Sequence, residues 1–348
     1  MNPRFPLRIV LVLASILCTF VALEIVARSL GYRNWRLFRI PPNEPVTHVA
    51  DPVLGWRNKP GTYEYPGYAA GAPPVRVTIL EDGSRATGHG RTTSGRELWL
   101  VGCSFTFGHA LGDDESLGWQ LQERLPSLAV KNHAVSGYGT YQVLLRLEEL
   151  LKDRTEAPII VYGFVESHDV RSVAGPGWLR ALAQFSRSGV IDVPYVTLSV
   201  DGTLERHPPV RYPAWPLRNY SALVTMVADR AVTFAARART ERRWAATESL
   251  LSEMNTLARA HGGTLLVASL YAPPEAMARI RDEWRRRGIL TAGCEPAEYP
   301  LPESLRVPGE AHPKGIVNTR WADCISRSVA PILERAAATR ASAAGGAK

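Results

Sequence analysis

Apolar residues first run unbroken near the start of the chain. Residues 9 to 23, IVLVLASILCTFVAL, are all apolar or small, and after Glu24 the run resumes as Ile25-Val26-Ala27. Roughly 19 such residues match the hydrocarbon span of a bilayer, so residues 1–30 predict a membrane helix or an export signal. No A-x-A cleavage pattern follows, and Glu24 stands where a carboxylate reaches the headgroups. An uncleaved signal anchor is therefore expected. Charge leaves its orientation open, because Arg4 and Arg8 precede the segment while Arg28, Arg33, Arg36 and Arg39 follow it.

Residues 31–96 read as an extended lead-in. Pro, Gly and short β-type runs dominate from 41 onward, as in Val75-Arg76-Val77-Thr78-Ile79-Leu80 before the turn Asp82-Gly83, and no evident chemistry accompanies them. From 97 to 335 the periodicity switches repeatedly between 2 and 3.6. It predicts strands at 98–102, 129–134, 158–164 and 264–270, and helices at 116–125, 139–152, 245–261 and 313–335. Such alternation implies parallel strands with right-handed crossovers, a doubly wound α/β sheet with its ligand site beyond the carboxyl ends of the strands. Residues 171–244 interrupt the rhythm with Pro-rich and Arg-rich segments and read as an insertion over one end of the sheet. The Ala/Gly-rich residues 336–348 read as a disordered tail.

Composition narrows the function classes. With 348 residues, 45% hydrophobic and 21% charged, the chain is an ordinary globular protein rather than a disordered or polytopic one. The net charge of +8 is spread along the sequence without zinc-finger spacing or an aromatic RNA-binding signature, so nucleic acid is not an expected partner. Arg237, Arg239, Arg242 and Arg243 form one local excess, read as a solvated helix face or a contact with anionic lipid. Four cysteines in a chain this long make no disulfide framework. Cys294 and Cys324 either pair in an oxidising compartment or stay as two thiols.

Candidate chemistry sits at the first core strand. Leu98-Trp99-Leu100-Val101 leads into Gly102-Cys103-Ser104-Phe105-Thr106-Phe107-Gly108, which presents the Ser104 hydroxyl at the ligand edge of the sheet with backbone N–H groups near it. A serine is a poor nucleophile until a base takes its proton. Of eight histidines, His312 has suitable surroundings, in Gly309-Glu310-Ala311-His312-Pro313-Lys314-Gly315 just before the last helix. In an extended loop, side chains two apart point the same way, so Glu310 can hold one imidazole nitrogen of His312 and leave the other for Ser104.

These residues resemble a family. Gly102-Cys103-Ser104-Phe105-Thr106-Phe107-Gly108 is similar to the G-D-S-x-T-x-G block of the SGNH (GDSL-type) hydrolases. Asn132-His133-Ala134-Val135-Ser136-Gly137-Tyr138-Gly139 resembles their glycine block, and Glu310-Ala311-His312-Pro313 their terminal D-x-H-P block, in the family's order over about 97 to 335. The resemblance implies a flavodoxin-like three-layer fold and ester or thioester hydrolysis. It carries the nucleophile onto Ser104, the base onto His312 and oxyanion donors onto the Ser104 and Gly137 backbone N–H groups. It departs from the family pattern in three places: Cys103 replaces Asp before the serine, Glu310 replaces the orienting Asp, and His168, in Gly163-Phe164-Val165-Glu166-Ser167-His168-Asp169, stands where an oxyanion-hole Asn is expected. An imidazole N–H can donate as a carboxamide does, in the right tautomer.

Competing readings attach to the same residues. Cys103 is a possible nucleophile, although it should point away from the side presenting Ser104. Glu166, His168, Asp169 and His133 carry metal-ligand types without ligand spacing, and His133 reads better as a structural hydrogen-bonder. His48, His89, His109, His207 and His261 read as surface or packing residues, and Asp323 is an alternative orienter for His312. The expectation is a membrane-anchored serine esterase with its catalytic domain in the periplasm or outside the cell, acting on an acylated small molecule or glycan, with O-acetyl esters among the candidates, and needing neither metal nor organic cofactor. An O-acyltransferase on a cell-surface glycan, or a glycan-binding protein on the same scaffold, would use the same residues differently.

Overall fold

The computed structural model describes residues 4–37, 44–68, 71–88, 95–155, 158–185 and 191–345. A long helix, α1 (Arg4–Ser29), comes first. The lead-in then forms strands β1 (His48–Asp51), β2 (Gly55–Asn58), β3 (Gly61–Tyr65) and β4 (Val75–Ile79). The main domain begins with β5 (Glu97–Gly102), α2 (Ser104–Phe107), α3 (Leu117–Arg124), β6 (Ala129–Asn132), α4 (Thr140–Leu151), β7 (Ile159–Val165) and α5 (His168–Ser172). An insertion of α6 (Pro176–Phe185), β8 (Val193–Leu198), β9 (Leu204–Val210) and α7 (Ala222–Glu241) follows. The chain closes with α8 (Arg243–Ala260), β10 (Thr264–Tyr271), α9 (Pro274–Arg286), β11 (Leu290–Gly293) and α10 (Gly315–Gly345).

Five strands pair in parallel in the order β11-β10-β7-β5-β6. Taking β5 as the first, this is the flavodoxin-like order, whose direction of winding reverses between β5 and β7 and opens a crevice at their carboxyl ends. Strand alternation assigns the two faces. Trp99, Val101, Ile160, Tyr162, Phe164, Leu265 and Val267 face α4, α8 and α9, whereas Leu98, Leu100, Ile159, Val161, Leu266 and Ala268 face α3 and α10. Helical spacing supplies the covering stripes, Leu144, Leu147 and Leu151 on α4 and Val317, Trp321, Ile325 and Val329 on α10. Each such side chain taken from water contributes about 1.5–3 kcal/mol, so these stripes fix which helix lies on which face.

Several elements differ from the sequence reading. Helix α9 and strand β11 were not anticipated: the strand is four residues long and of α9 only Met277 and Trp284 are buried, which leaves little hydrophobic period to read. A disordered tail was expected from Ala336, yet α10 runs to Gly345, because alanine is the best helix former and its run prolongs the helix. Residues 346–348, Arg39 and His89 lie outside the described residues. Of the arginines read as a solvated face or a lipid contact, Arg237 stays exposed and pairs with Glu241 one turn on, whereas Arg239, Arg242 and Arg243 tie the insertion down. Arg239 donates to the carbonyls of Val173 and Ala174, Arg242 to those of Leu198 and Ser199, and Arg243 to Asp169.

Among the described residues one helix, over Arg8–Ser29, is long and apolar enough to cross a membrane, with a mean hydropathy of 2.7. Most of its apolar side chains are exposed, Val10, Leu11, Leu13 and Leu17 among them. Glu24 has a structural task. Its carboxylate accepts from the Ser221 hydroxyl and from the Ala222 and Leu223 amides, satisfying the open N-terminus of α7.

Cys294 and Cys324 form a disulfide between the end of β11 and α10, with Cα atoms 5.7 Å apart, which decides the pairing that the sequence left open. Closing a loop of this length stabilises a fold by roughly 3–4 kcal/mol in the chain-entropy model. Replacing Cys294 with Ser, or adding reductant, is therefore expected to lower the midpoint of thermal unfolding by several degrees. Equal midpoints for oxidised and reduced protein in a calorimetric scan would contradict this.

Candidate active site

Strand β5 ends at Gly102, and the chain turns at once into the one-turn helix α2. The turn is possible because Gly102 and Gly163 both lack a side chain: a Cβ on either would lie within 2.3 Å of the Thr106 hydroxyl oxygen. Thr106 fills that space beneath the turn. Cys103 points down into the core beside Leu98 and Leu100 and is fully buried, so the opposite, cavity side is left to Ser104. Two further groups brace the turn. Asn132, at the end of β6, donates to the Thr106 carbonyl at 2.9 Å. Arg85, wholly buried, donates to the carbonyls of Phe107, Gly108 and Leu111 and faces Asp113 at 3.5 Å. Arg85 comes from the lead-in, where no chemistry was expected.

His312 arrives from the other end of the chain. His312 Nε2 lies 2.9 Å from Ser104 Oγ, and His312 Nδ1 lies 3.1 Å from a Glu310 carboxylate oxygen. Contact between Glu310 and His312 does not arise from an extended loop. The segment bends, with the Glu310 amide donating to Val307 and the Val307 amide to the His312 carbonyl, and the bend brings the two side chains together. Asp323, the alternative orienter, is engaged by Arg124 instead. With Nδ1 carrying its proton toward Glu310, Nε2 presents a lone pair to the serine, the arrangement a general base requires.

Three oxyanion donors were expected, and the structure brings two of them to the cavity. The Ser104 amide heads α2, where first-turn N–H groups lack intrahelical acceptors, and Gly137, at φ 89°, lines the same cavity with a Cβ position 3.0 Å from the Trp56 ring. His168 is elsewhere. It is fully buried on α5, its Nδ1 2.6 Å from the Tyr162 hydroxyl, which in turn meets Thr140. It therefore faces the core rather than the cavity, and the third donor cannot come from it. Asp169 pairs with Arg243, and His133 packs edge-on against Trp99 with neither ring nitrogen hydrogen-bonded among the described residues, against its reading as a hydrogen-bonder.

Ser104 and His312 open onto a cavity of about 860 Å³ whose walls include Val46, Val49, Trp56, Trp178, Leu182 and Ile191. Strand β1 of the lead-in forms one side and α6 of the insertion the other. Sequence reasoning missed three polar members of this lining. Arg171, the one Lys or Arg among the described lining residues, lies 4.4 Å over the Trp178 ring and donates to the Tyr138 carbonyl. His109 stands 4.6 Å from the His312 ring, and His48 caps the same wall. The signal for His109 was its place five residues after Ser104, a position without meaning until the loop is seen to fold back. Burial, and next the charge of His312, hold His109 well below the usual imidazole range, while burial pulls His48 down to about 4.

No family model matches the chain, and no curated protein does. Solved structures similar to it include TesA, at 16% identity over 68% of this chain and 99% of that one, with a TM-score of 0.38. The psychrotrophic esterase EstA from Pseudoalteromonas sp. is 11% identical over 69% of this chain and 99% of its own, with a TM-score of 0.39. A lipolytic protein of the G-D-S-L family from Desulfitobacterium hafniense DCB-2 is 12% identical over 67% and 99%, also with a TM-score of 0.39.

Buried neutral histidines make stability depend on pH. The folded pKa of His133 is lowered from 6.5 to about 4 by burial, so between these values the unfolded chain binds a proton that the folded chain does not. Stability therefore falls as pH drops through this window, by about 2 kcal/mol per such site between about pH 7 and about pH 5. His133→Phe, which keeps a ring against Trp99, should unfold with a shallower loss of stability over that range in urea titrations. An unchanged pH slope would show that His133 is not held neutral.

Proposed function

We propose that the chain is a membrane-anchored serine hydrolase of the SGNH type that cleaves O-acyl esters, with Ser104 as nucleophile, His312 as base and Glu310 as orienter. The observation that carries this reading is the unbroken relay from the Glu310 carboxylate through His312 to Ser104, opening onto a cavity that Gly137 also lines. In the proposed cycle His312 Nε2 takes the serine proton as Oγ attacks the acyl carbonyl. The tetrahedral oxyanion is received by the Ser104 and Gly137 amides. Collapse breaks the bond to the alcohol, which leaves with the proton from Nε2–H, and an acyl-serine remains. Water, deprotonated by the same nitrogen, attacks the acyl carbon, and the acid departs as Oγ recovers its proton.

Arg171 supports the cavity's electrostatics. Among the described lining residues it is the one Lys or Arg, and its guanidinium is held by the Tyr138 carbonyl and the Trp178 ring. The apolar walls suit an ester with a hydrophobic acyl or alcohol portion. The Arg8–Ser29 helix serves in this reading as an anchor, with Glu24 docking it to α7. The Cys294–Cys324 disulfide favours an oxidising compartment for the domain, outside the cytoplasm.

Replacing Ser104 or His312 with Ala should each lower the rate of short-chain aryl ester hydrolysis by at least about a thousandfold, without additivity in the double variant. Ser104→Ala should also abolish labelling by a fluorophosphonate. Labelling that survives in Ser104→Ala would place the nucleophile elsewhere. Alkaline carbonate should leave the full chain with membranes and release a variant lacking residues 1–30; extraction of the full chain would remove the anchor from the proposal.

A further inference from the structure

The proposed relay leaves one imidazole without a task. His109 faces the cavity beside His312, with Tyr65 edge-on at 6.1 Å, and among the described residues its ring nitrogens make no hydrogen bond. Its position is imposed by the backbone. The His109 amide donates to the Ser104 carbonyl at 2.9 Å, and the next residue, Ala110, is held at a φ of 65°, a left-handed conformation that costs a non-glycine residue about 1 kcal/mol or more. The buried Arg85 clamp on the carbonyls of Phe107, Gly108 and Leu111 maintains that conformation. A strained loop thus delivers an unpartnered imidazole to the nucleophile's neighbourhood.

One donor atom each from His109, Glu310 and His312 lie within 4.8 Å of one another. Two imidazoles and a carboxylate are a donor set for zinc-like ions, with bonds of about 2.0–2.2 Å that put ligand atoms roughly 3.3 Å apart in a tetrahedron. Reaching that spacing requires the widest pair to close by no more than roughly 1.5 Å. Glu310 sits in an irregular bend with a half-exposed side chain, and can make that adjustment. Magnesium and calcium, which seek six or more oxygens, find no such set in these three side chains.

We propose that His109, Glu310 and His312 form a binding site for a zinc-type divalent ion, and that its occupation switches the enzyme off. The inhibition, though not the binding, rests on the esterase reading above. Either mode of coordination removes the base. An ion on His312 Nε2 occupies the lone pair that takes the serine proton. An ion on Nδ1 sends the ring's proton to Nε2, and that nitrogen then has no lone pair to offer. In both cases Glu310 becomes a ligand and ceases to orient the ring. The fourth position is left to water.

The test uses the full chain in detergent, freed of metal with a chelator, and two probes: Co²⁺ for its visible spectrum and Zn²⁺ for its effect on ester hydrolysis. Ser104→Ala protein should bind about one Co²⁺ per chain with the intense absorption of a four-coordinate ion. Active protein should lose activity to Zn²⁺, regain it with EDTA, and ignore Mg²⁺ and Ca²⁺. His109→Phe and His109→Gln, each measured against its own metal-free rate, should need at least about tenfold more Zn²⁺ for half-inhibition. The Gln variant serves if Phe prevents folding. Half-inhibition at the wild-type Zn²⁺ concentration in both variants, a weak six-coordinate Co²⁺ spectrum, or faster hydrolysis with Zn²⁺ would each overturn the proposal. If the chain cleaves no ester, the Co²⁺ spectrum and its loss in the His109 variants still decide the site while the switch falls.

Discussion

The hydrogen bond between Ser104 and His312 joins groups 208 residues apart, and the arrangement of the main domain is what keeps them 2.9 Å from each other. Such a bond contributes only about 1 kcal/mol net, far too little to bring the two ends of a domain together. Packing does so. Helix α10 begins directly after the His312 loop and lays Val317, Trp321, Ile325 and Val329 against the face of the sheet that also receives Leu117 and Leu121 of α3. Phe105, next to Ser104, meets both Trp321 and the His312 ring. The core that seats α10 and the site that needs His312 are therefore continuous.

The Ser104 side of the contact depends on absences as much as on side chains. Two glycines at adjacent strand ends admit Thr106 under the turn, and Asn132 and Arg85 satisfy carbonyls that the tight chain reversal leaves without partners. A buried guanidinium with three carbonyl acceptors is an expensive group to place. Here it holds the loop that carries both Ser104 and His109, so the lead-in is part of the site rather than an approach to it.

A chain of contacts also links the N-terminal helix to the cavity wall. Glu24 meets the start of α7, Arg239 near the end of α7 holds the carbonyls of Val173 and Ala174 just before α6, and α6 supplies Trp178 and Leu182 to the cavity. The insertion thus occupies the space between the apolar N-terminal helix and the cavity.

The sequence by itself determined what depends on local pattern. Hydrophobic periodicity located four of the five core strands and the helices between them to within a few residues, apart from the end of α10, the glycine-flanked block placed a serine at a strand end, and Glu310 two residues before His312 marked a candidate base with a candidate orienter. Short or mostly solvated elements such as β11 and α9 escaped because they bury too few side chains to leave a period. Tertiary structure alone decided where distant segments meet. It turned His168 into the core, brought His48, Arg85 and His109 from apparently inert stretches to the site, engaged Asp323 with Arg124 and joined Cys294 to Cys324. The reason is physical: periodicity reports which side of an element is buried, whereas the neighbour of a polar side chain is set by packing between elements, about which adjacent residues carry no information.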